Sequence, residues 1–292
     1  MLYLNSILIM IRSVLLLLFF ILASCTSSSE NREMTPTRSI ITAGGTITEI
    51  VNALGLGNEI TATDITSTYP ESMKSLPSIG YRNHIKAEGI LSLAPDLVLI
   101  EEGYLNPDVV TQLKAASVAI HSFPNPTSVA STKNLVLELA EFFDQLDKGK
   151  AINEAIDTDI AELNTYLNIT SLEPHAIFLM TRGPETVFIA GDKTFASEMF
   201  KLAKIQTSAT GFDEFAPMTP ESLVKMNPEY LIFFESGIKS LGGREGLSAI
   251  QGIEQTEAFK KDQIVSLDGQ YLSGFGPRVG KAALDLAKAV RK

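Results

Sequence analysis

Two glutamates stand in the same setting in this chain. Glu88-Gly-Ile-Leu-Ser-Leu-Ala-Pro95-Asp96 leads into the apolar run Leu97-Val-Leu-Ile100, and Glu221-Ser-Leu-Val-Lys-Met-Asn-Pro228-Glu229 leads into Tyr230-Leu-Ile-Phe233. If they converged on one pocket, two such carboxylates would be a general acid and a general base. Held apart, they mark two similar lobes that carry one equivalent carboxylate each. Other chemistry is sparse. The sequence has no Gly-x-Ser-x-Gly elbow, no phosphate-binding Walker loop, no His-Glu-x-x-His and no Cys-x-x-Cys. Gly55-Leu-Gly57 lacks a third glycine and follows a helical pattern instead of a strand. The three histidines, His84, His121 and His175, are scattered. Binding is therefore the default reading and hydrolytic or redox chemistry has little to stand on.

The elements that must position these residues begin after an N-terminal leader. Val14 to Ala23 is apolar but too short to span a bilayer, and Arg12 supplies the charge ahead of it, so residues 1–24 read as a signal peptide, with Met1 or Met10 as the start of translation. The run ends Leu22-Ala23-Ser24-Cys25, a lipobox-like sequence. Cys25 is the single cysteine and has no partner for an intramolecular disulfide, so it reads as the site of lipidation. Residues 25–37 are polar, lack apolar periodicity and read as a tether. The remaining chain is long enough for two lobes. A formal net charge of −10, with no basic run and no tryptophan, argues against nucleic acid as a partner.

From Ile40 onward, short apolar runs alternate with helical stretches, the pattern of an α/β fold with mostly parallel strands. Strands are expected at Arg38–Thr42, Glu59–Thr63, Leu97–Glu101 and Val118–Phe123. Helices are expected at Thr46–Leu54 and Asp108–Ala116. A helical region from Ser128 to Leu146, a break at Gly149 and a second stretch from Lys150 to Leu167 predict a stiff connection between lobes. Further strands are expected at Ala176–Met180, Val187–Ile189, Tyr230–Phe234 and Ile264–Leu267, with a closing helix at Gly280–Arg291. The expected division is an N-terminal lobe at 38–145, a connecting helix at 146–170 and a C-terminal lobe at 171–292.

A lipobox, two α/β lobes, a long connecting helix and one Glu per lobe resemble the substrate-binding lipoproteins of bacterial ABC importers for cobalamin, ferric siderophores and haem. The resemblance runs from Arg38 to the C-terminus and is carried most specifically by the haem-binding branch: Thr66-Ser-Thr-Tyr-Pro70, Pro77-Ser-Ile-Gly-Tyr81, Leu241-Gly-Gly243 with Gly246-Leu247, and Gly274-Phe-Gly-Pro-Arg278. It implies two Rossmann-like lobes joined by a long helix, the class III periplasmic-binding-protein fold, with ferric haem in the cleft between them and no catalytic cofactor. It implies that Glu88 and Glu221 dock on arginines of a dimeric permease. It also implies that Tyr81 is the haem-iron ligand, a phenolate being a hard anionic donor that a neighbouring cation favours.

This chain departs from the family where an arginine follows the tyrosine by two positions: Arg82 follows Tyr81 directly, and Asn83 stands where the arginine is expected. Adjacent residues of an extended segment point to opposite sides, so Arg82 is badly placed to reach the phenolate and Asn83 is an alternative donor. His84 is a competing iron ligand. Arg182, in Met180-Thr-Arg182-Gly-Pro, is expected to pair with a haem propionate. Tyr69, Tyr271 and Arg278 complete the cleft candidates, with Tyr271, Leu272 and Phe275 expected to cover the macrocycle. Cobalamin or a ferric siderophore is the alternative cargo, and a membrane-anchored α/β enzyme using Glu88 or Glu221 is the alternative of another class.

Overall fold

The structure, a computed structural model, describes residues 38–170 and 172–291. The signal peptide, Cys25 and the tether lie outside the described residues, and among the described residues no helix is long and apolar enough to cross a membrane. The chain builds two sheets. The first holds β1 (Ile40–Ala43), β2 (Ile60–Thr63), β3 (Leu97–Glu101) and β4 (Ala119–Phe123) in the order β2-β1-β3-β4, all parallel. Its helices are α1 (Gly45–Val51), α2 (Ala87–Leu91) and α3 (Pro107–Ala115). Asn106 caps α3, whose first residue is Pro107, the usual place for a residue without an N–H.

Two helices then connect the lobes, α4 (Val129–Phe142) and α5 (Leu146–Ile169). The break expected at Gly149 lies instead at Phe143–Gln145, where Asp144 takes a left-handed φ of 55°. Gly149 stays helical, and its lack of a side chain serves packing: a Cβ there would lie 2.5 Å from the Cβ of Ala140 on α4. The two helices thus touch backbone to backbone at the start of the long one.

The second sheet contains β5 (Ala176–Thr181), β6 (Val187–Ala190), β7 (Phe215–Pro217), β8 (Tyr230–Phe234) and β9 (Ile264–Leu267) in the order β7-β6-β5-β8-β9. Strands β5, β8 and β9 are parallel, whereas β6 and β7 run antiparallel on one side. The mostly parallel expectation holds for the chain, with this antiparallel edge in the second sheet, and β7 has no counterpart among the expected strands. Its helices are α6 (Phe195–Leu202), α7 (Pro220–Met226), α8 (Glu235–Ser240), α9 (Glu257–Lys260), α10 (Gly269–Ser273) and α11 (Val279–Ala289). Helix α11 returns to pack along α5. One buried cluster runs without interruption from Ile40 and Leu99 through Ile156 and Leu163 to Phe178, Ile232 and Leu286, so the long helix shares its core with both sheets.

The repeated unit recurs in three dimensions, with the same backbone turn and the same hydrogen bond in both lobes. Glu88 and Glu221 are each the second residue of their helix. Ala94 and Asn227, each just before the proline, both take left-handed φ, 44° and 39°. The acid after the proline then accepts a hydrogen bond from the backbone N–H preceding the first strand of its sheet: Ser39 N to Asp96 Oδ2 at 2.8 Å, and His175 N to Glu229 Oε2 at 3.0 Å. In register, Ile40 pairs with Leu97 and Ala176 with Tyr230. The Pro-acid turn thus has a structural function in both lobes, whereas the glutamates are exposed and have no ion-pair or side-chain hydrogen-bond partner among the described residues.

Candidate functional site

The loops that leave the carboxyl ends of the parallel strands gather between the two sheets, the usual place for a ligand in an open α/β sheet. In the first lobe their shape is set by Asp64, directly after β2. Its fully buried carboxylate accepts from Gly44 N at 2.9 Å, Thr66 N at 2.8 Å, Ser67 Oγ and Tyr104 OH, each at 2.5 Å, and also from the Thr66 hydroxyl. One carboxylate therefore ties the ends of β1, β2 and β3 together. The end of β2 is also paired with the segment at Ser78–Gly80, through Thr63 N to Pro77 O at 3.1 Å, Ile79 N to Thr63 O at 2.9 Å and Ile65 N to Gly80 O at 3.0 Å. This zipper sets Tyr81, 37 % exposed, beside the loop that carries Ile65, 63 % exposed.

After Tyr81 the chain turns through Arg82–His84, with His84 N on the Tyr81 carbonyl at 2.9 Å. Arg82 has a left-handed φ of 36° and its guanidinium lies over the Tyr104 ring, 4.8 Å from the centroid. Asn83 is in the same turn, and His84 is exposed. The cation that does reach Tyr81 comes from the other lobe. Arg182, just after β5, donates from NH2 to Tyr81 OH at 3.1 Å.

At the other end of the cleft the lobes are joined by buried polar contacts. Arg278 donates from Nε and NH2 to the two oxygens of Glu49 on α1, both at 2.8 Å, a bidentate pair. The same guanidinium lies 3.5 Å from the Tyr69 ring centroid and 4.9 Å from that of Tyr271. Gln270 of α10 accepts from Thr68 N at 2.7 Å and Tyr69 N at 3.0 Å, while its amide donates to Gly45 O at 2.9 Å. A Cβ on Gly45 would lie 2.9 Å from the Gln270 side chain, so glycine is what lets this clasp close. Thr46 and Thr132 hydroxyls add bonds to the Gly274 and Phe275 carbonyls at 2.5 and 2.6 Å.

The tyrosines of this region differ in what their oxygens do. Tyr104 donates to Asp64 and Tyr271 donates to Asp285 at 2.8 Å. Burial first, and then those carboxylates, push both phenols well above the ordinary range and hold them neutral. Tyr81 instead accepts from a guanidinium. Glu101, at the end of β3, accepts from Thr46 N at 3.1 Å, and its burial pushes the carboxyl up to about 7.

Leu272 and Phe275, expected to cover a flat ligand, are 1 % and 3 % exposed and face the core, because α10 turns its apolar side inward against α11. The exposed apolar surface comes from Ile65, on the loop beside Tyr81, and from Tyr69, at the Arg278 end of the cleft. Of the residues that sequence reasoning missed, Asp64 had a signal, a carboxylate flanked by Thr63, Thr66 and Ser67 that favours local side-chain to backbone bonds. Glu49 and Gln270 had none. Among the described residues no group of three or more His, Cys, Asp or Glu side chains is placed to hold a bare metal ion.

Residues 40–271 match the family model described as periplasmic binding protein. Among solved structures, the chain is similar to the apo form of the periplasmic heme-binding protein RhuT from Roseiflexus sp. RS-1, at 34 % identity and a TM-score of 0.83 over 87 % of this chain and 97 % of that one. It is similar to the periplasmic heme-binding protein BhuT in complex with two hemes, at 31 % identity and a TM-score of 0.80 with the same coverage. A further relative, an uncharacterized ABC transporter substrate-binding lipoprotein YvrC of Bacillus subtilis (strain 168), is 24 % identical over 83 % of this chain and 76 % of its own length.

Proposed function

The chain belongs to the periplasmic binding protein family, and on that premise we propose that it is the exported substrate-binding component of an ABC importer, carrying ferric haem between its lobes with Tyr81 as the iron ligand. The observation that carries this reading is the contrast among phenols. Tyr104 and Tyr271 spend their protons on carboxylates, whereas Tyr81 is exposed and its oxygen faces a cation. A phenolate beside a guanidinium is the combination that suits a ferric centre. Ile65 and Tyr69 supply apolar and aromatic surface for a planar ligand, and the two relatives at 34 % and 31 % identity are named as heme-binding proteins. His84, exposed in the turn after Tyr81, is a candidate for a propionate, whereas the Arg82 guanidinium lies over the Tyr104 ring. Arg278 and Tyr271 hold the floor of the cleft.

Residues 38–145 and 171–292 form the two lobes in this reading, with 146–170 as spine and Cys25 as lipid anchor. Glu88 and Glu221, exposed one in each lobe, present paired charges to a two-fold permease. The family is one of binding proteins, so neither carboxylate has a catalytic role. Titration of the protein with hemin tests the cargo: a saturable Soret shift that is lost or displaced in Tyr81→Phe supports it, and a spectrum unchanged by that substitution refutes the ligand assignment. Stronger binding of cobalamin than of hemin would replace the cargo while leaving the class intact.

A further inference from the structure

We propose that Arg182 is the positioning residue for the iron ligand, gripping the Tyr81 oxygen from the opposite lobe so that haem is held firmly only while the lobes are together. The inference rests on the haem reading above and adds what controls retention and release. Three observations carry it.

The arginine next to Tyr81 in sequence is turned away. The left-handed backbone at Arg82 sends its guanidinium onto the Tyr104 ring, on the inner side of the same lobe. Arg182 takes the vacated role, at 3.1 Å from the phenol oxygen, and has no carboxylate partner among the described residues. Its backbone is braced for this: Arg182 N donates to Thr186 O at 3.0 Å across the β5–β6 turn, and Gly183 N donates to Ser240 Oγ at 3.0 Å. A phenolate oxygen has lone pairs enough to bind iron and accept this bond together.

The contacts between the lobes are also unequal. On the Arg278 side they include a bidentate ion pair to a carboxylate only 4 % exposed, together with the Gln270 clasp. On the Tyr81 side the hydrogen bond is exposed. Separation of the lobes is therefore easiest at the Tyr81–Arg182 end. It would take away, at the moment of delivery, the donor that favours the ionised form of the iron-bound tyrosine.

Hemin and hemin dimethyl ester, which lacks free carboxylates, separate this role from a propionate contact. In Arg182→Ala both ligands should dissociate roughly tenfold faster, by the size of one charge-assisted hydrogen bond, with a displaced phenolate-to-iron charge-transfer band. Arg182→Lys should restore part of both. In a Tyr81→Phe background, Arg182→Ala should change nothing further. An Arg182→Ala effect that disappears with the dimethyl ester, or that persists in full in the Tyr81→Phe background, overturns the inference and assigns Arg182 to the propionates. A wild-type protein with no phenolate band overturns the haem reading and this inference with it, whereas a wild-type band unaffected by Arg182→Ala overturns this inference alone.

Discussion

Replacing Arg278 with methionine should expose how much of the inter-lobe joint depends on one ion pair. Glu49 is 4 % exposed and receives both of its strong bonds from Arg278, at 2.8 Å each; what remains is the Gln270 amide at 3.3 Å. Breaking a buried pair by removing one partner costs about 3–5 kcal/mol, because the other charge is left in a poor solvent. The Arg278 side chain keeps 23 % of its exposure, so water reaches the pair and the lower end, about 3 kcal/mol, applies. For a domain of this size each kcal/mol moves Tm by about 2–4 °C, which gives a fall of roughly 6–12 °C. Calorimetry of wild type, Arg278→Met, Glu49→Gln and the double variant measures this directly. The double variant should recover most of the loss, since removing both charges leaves no orphan. An Arg278→Met protein within about 1 kcal/mol of wild type, or a double variant no better than the single, would refute the reasoning.

Gly149→Ala gains about 1 kcal/mol of helix propensity but forces a Cβ to 2.5 Å from that of Ala140. Overpacking of this kind costs about 1–3 kcal/mol, so urea denaturation should show a net loss that Ala140→Gly relieves. Glu101 has a folded-state pKa of about 7, raised from 4.5 by burial, so the folded state holds the proton more tightly than the unfolded state does. Stability should fall as pH rises from about 4.5 to 7, by roughly 3 kcal/mol in all, and Glu101→Gln should flatten that slope and be the more stable protein at pH 8. Equal pH slopes in the two proteins would show that Glu101 is not the group responsible. Glu88→Ala and Glu221→Ala should leave hemin affinity unchanged while each weakens docking to the permease by no more than about fivefold, the ceiling for exposed pairs. Their losses should multiply in the double variant, and a tenfold change in hemin affinity would place them in the ligand site instead.

Among the strands that sequence reasoning located well, β3 and β8 are nearly continuous apolar runs bounded by turn residues, a signal that needs no partner to read, whereas β4 and β9 are interrupted by His121, Ser122 and Ser266. Strand β7 is three residues long, ends in Pro217 and exists because Ala216 pairs with Ile189, so its cause lies outside its own segment. The misplaced helix break has a similar origin. Gly149 looks like a stop from propensity alone, yet its neighbour across the helix pair requires the missing side chain, and the real break falls where Asp144 accepts a left-handed φ. At the proposed site, Tyr81 stands out through the family resemblance and Arg82 through its departure from the family's spacing. The bond from Arg182 was not legible, because it joins two loops brought together only by two sheets and the long helix between them. The Glu49–Arg278 pair is hidden for the same reason.

The symmetry of the scaffold and the asymmetry of the cleft divide the work of the molecule. Both lobes repeat one unit down to the acid that accepts from the strand-preceding N–H, and each repeat delivers one exposed glutamate at the second position of a short helix. Paired features suit a two-fold surface, so in the proposed reading docking falls to the repeated part. The cleft is built from what does not repeat. The first lobe continues β2 into a zipped loop that ends on Tyr81, whereas the second folds β5 straight back into an antiparallel β6 and so places Arg182 at a tight, braced turn. In the proposed reading the ligand meets unlike groups, a phenol oxygen from one side and a guanidinium from the other. Substitutions in either loop can change the cargo or its rate of release while leaving intact the paired surface that a permease would read.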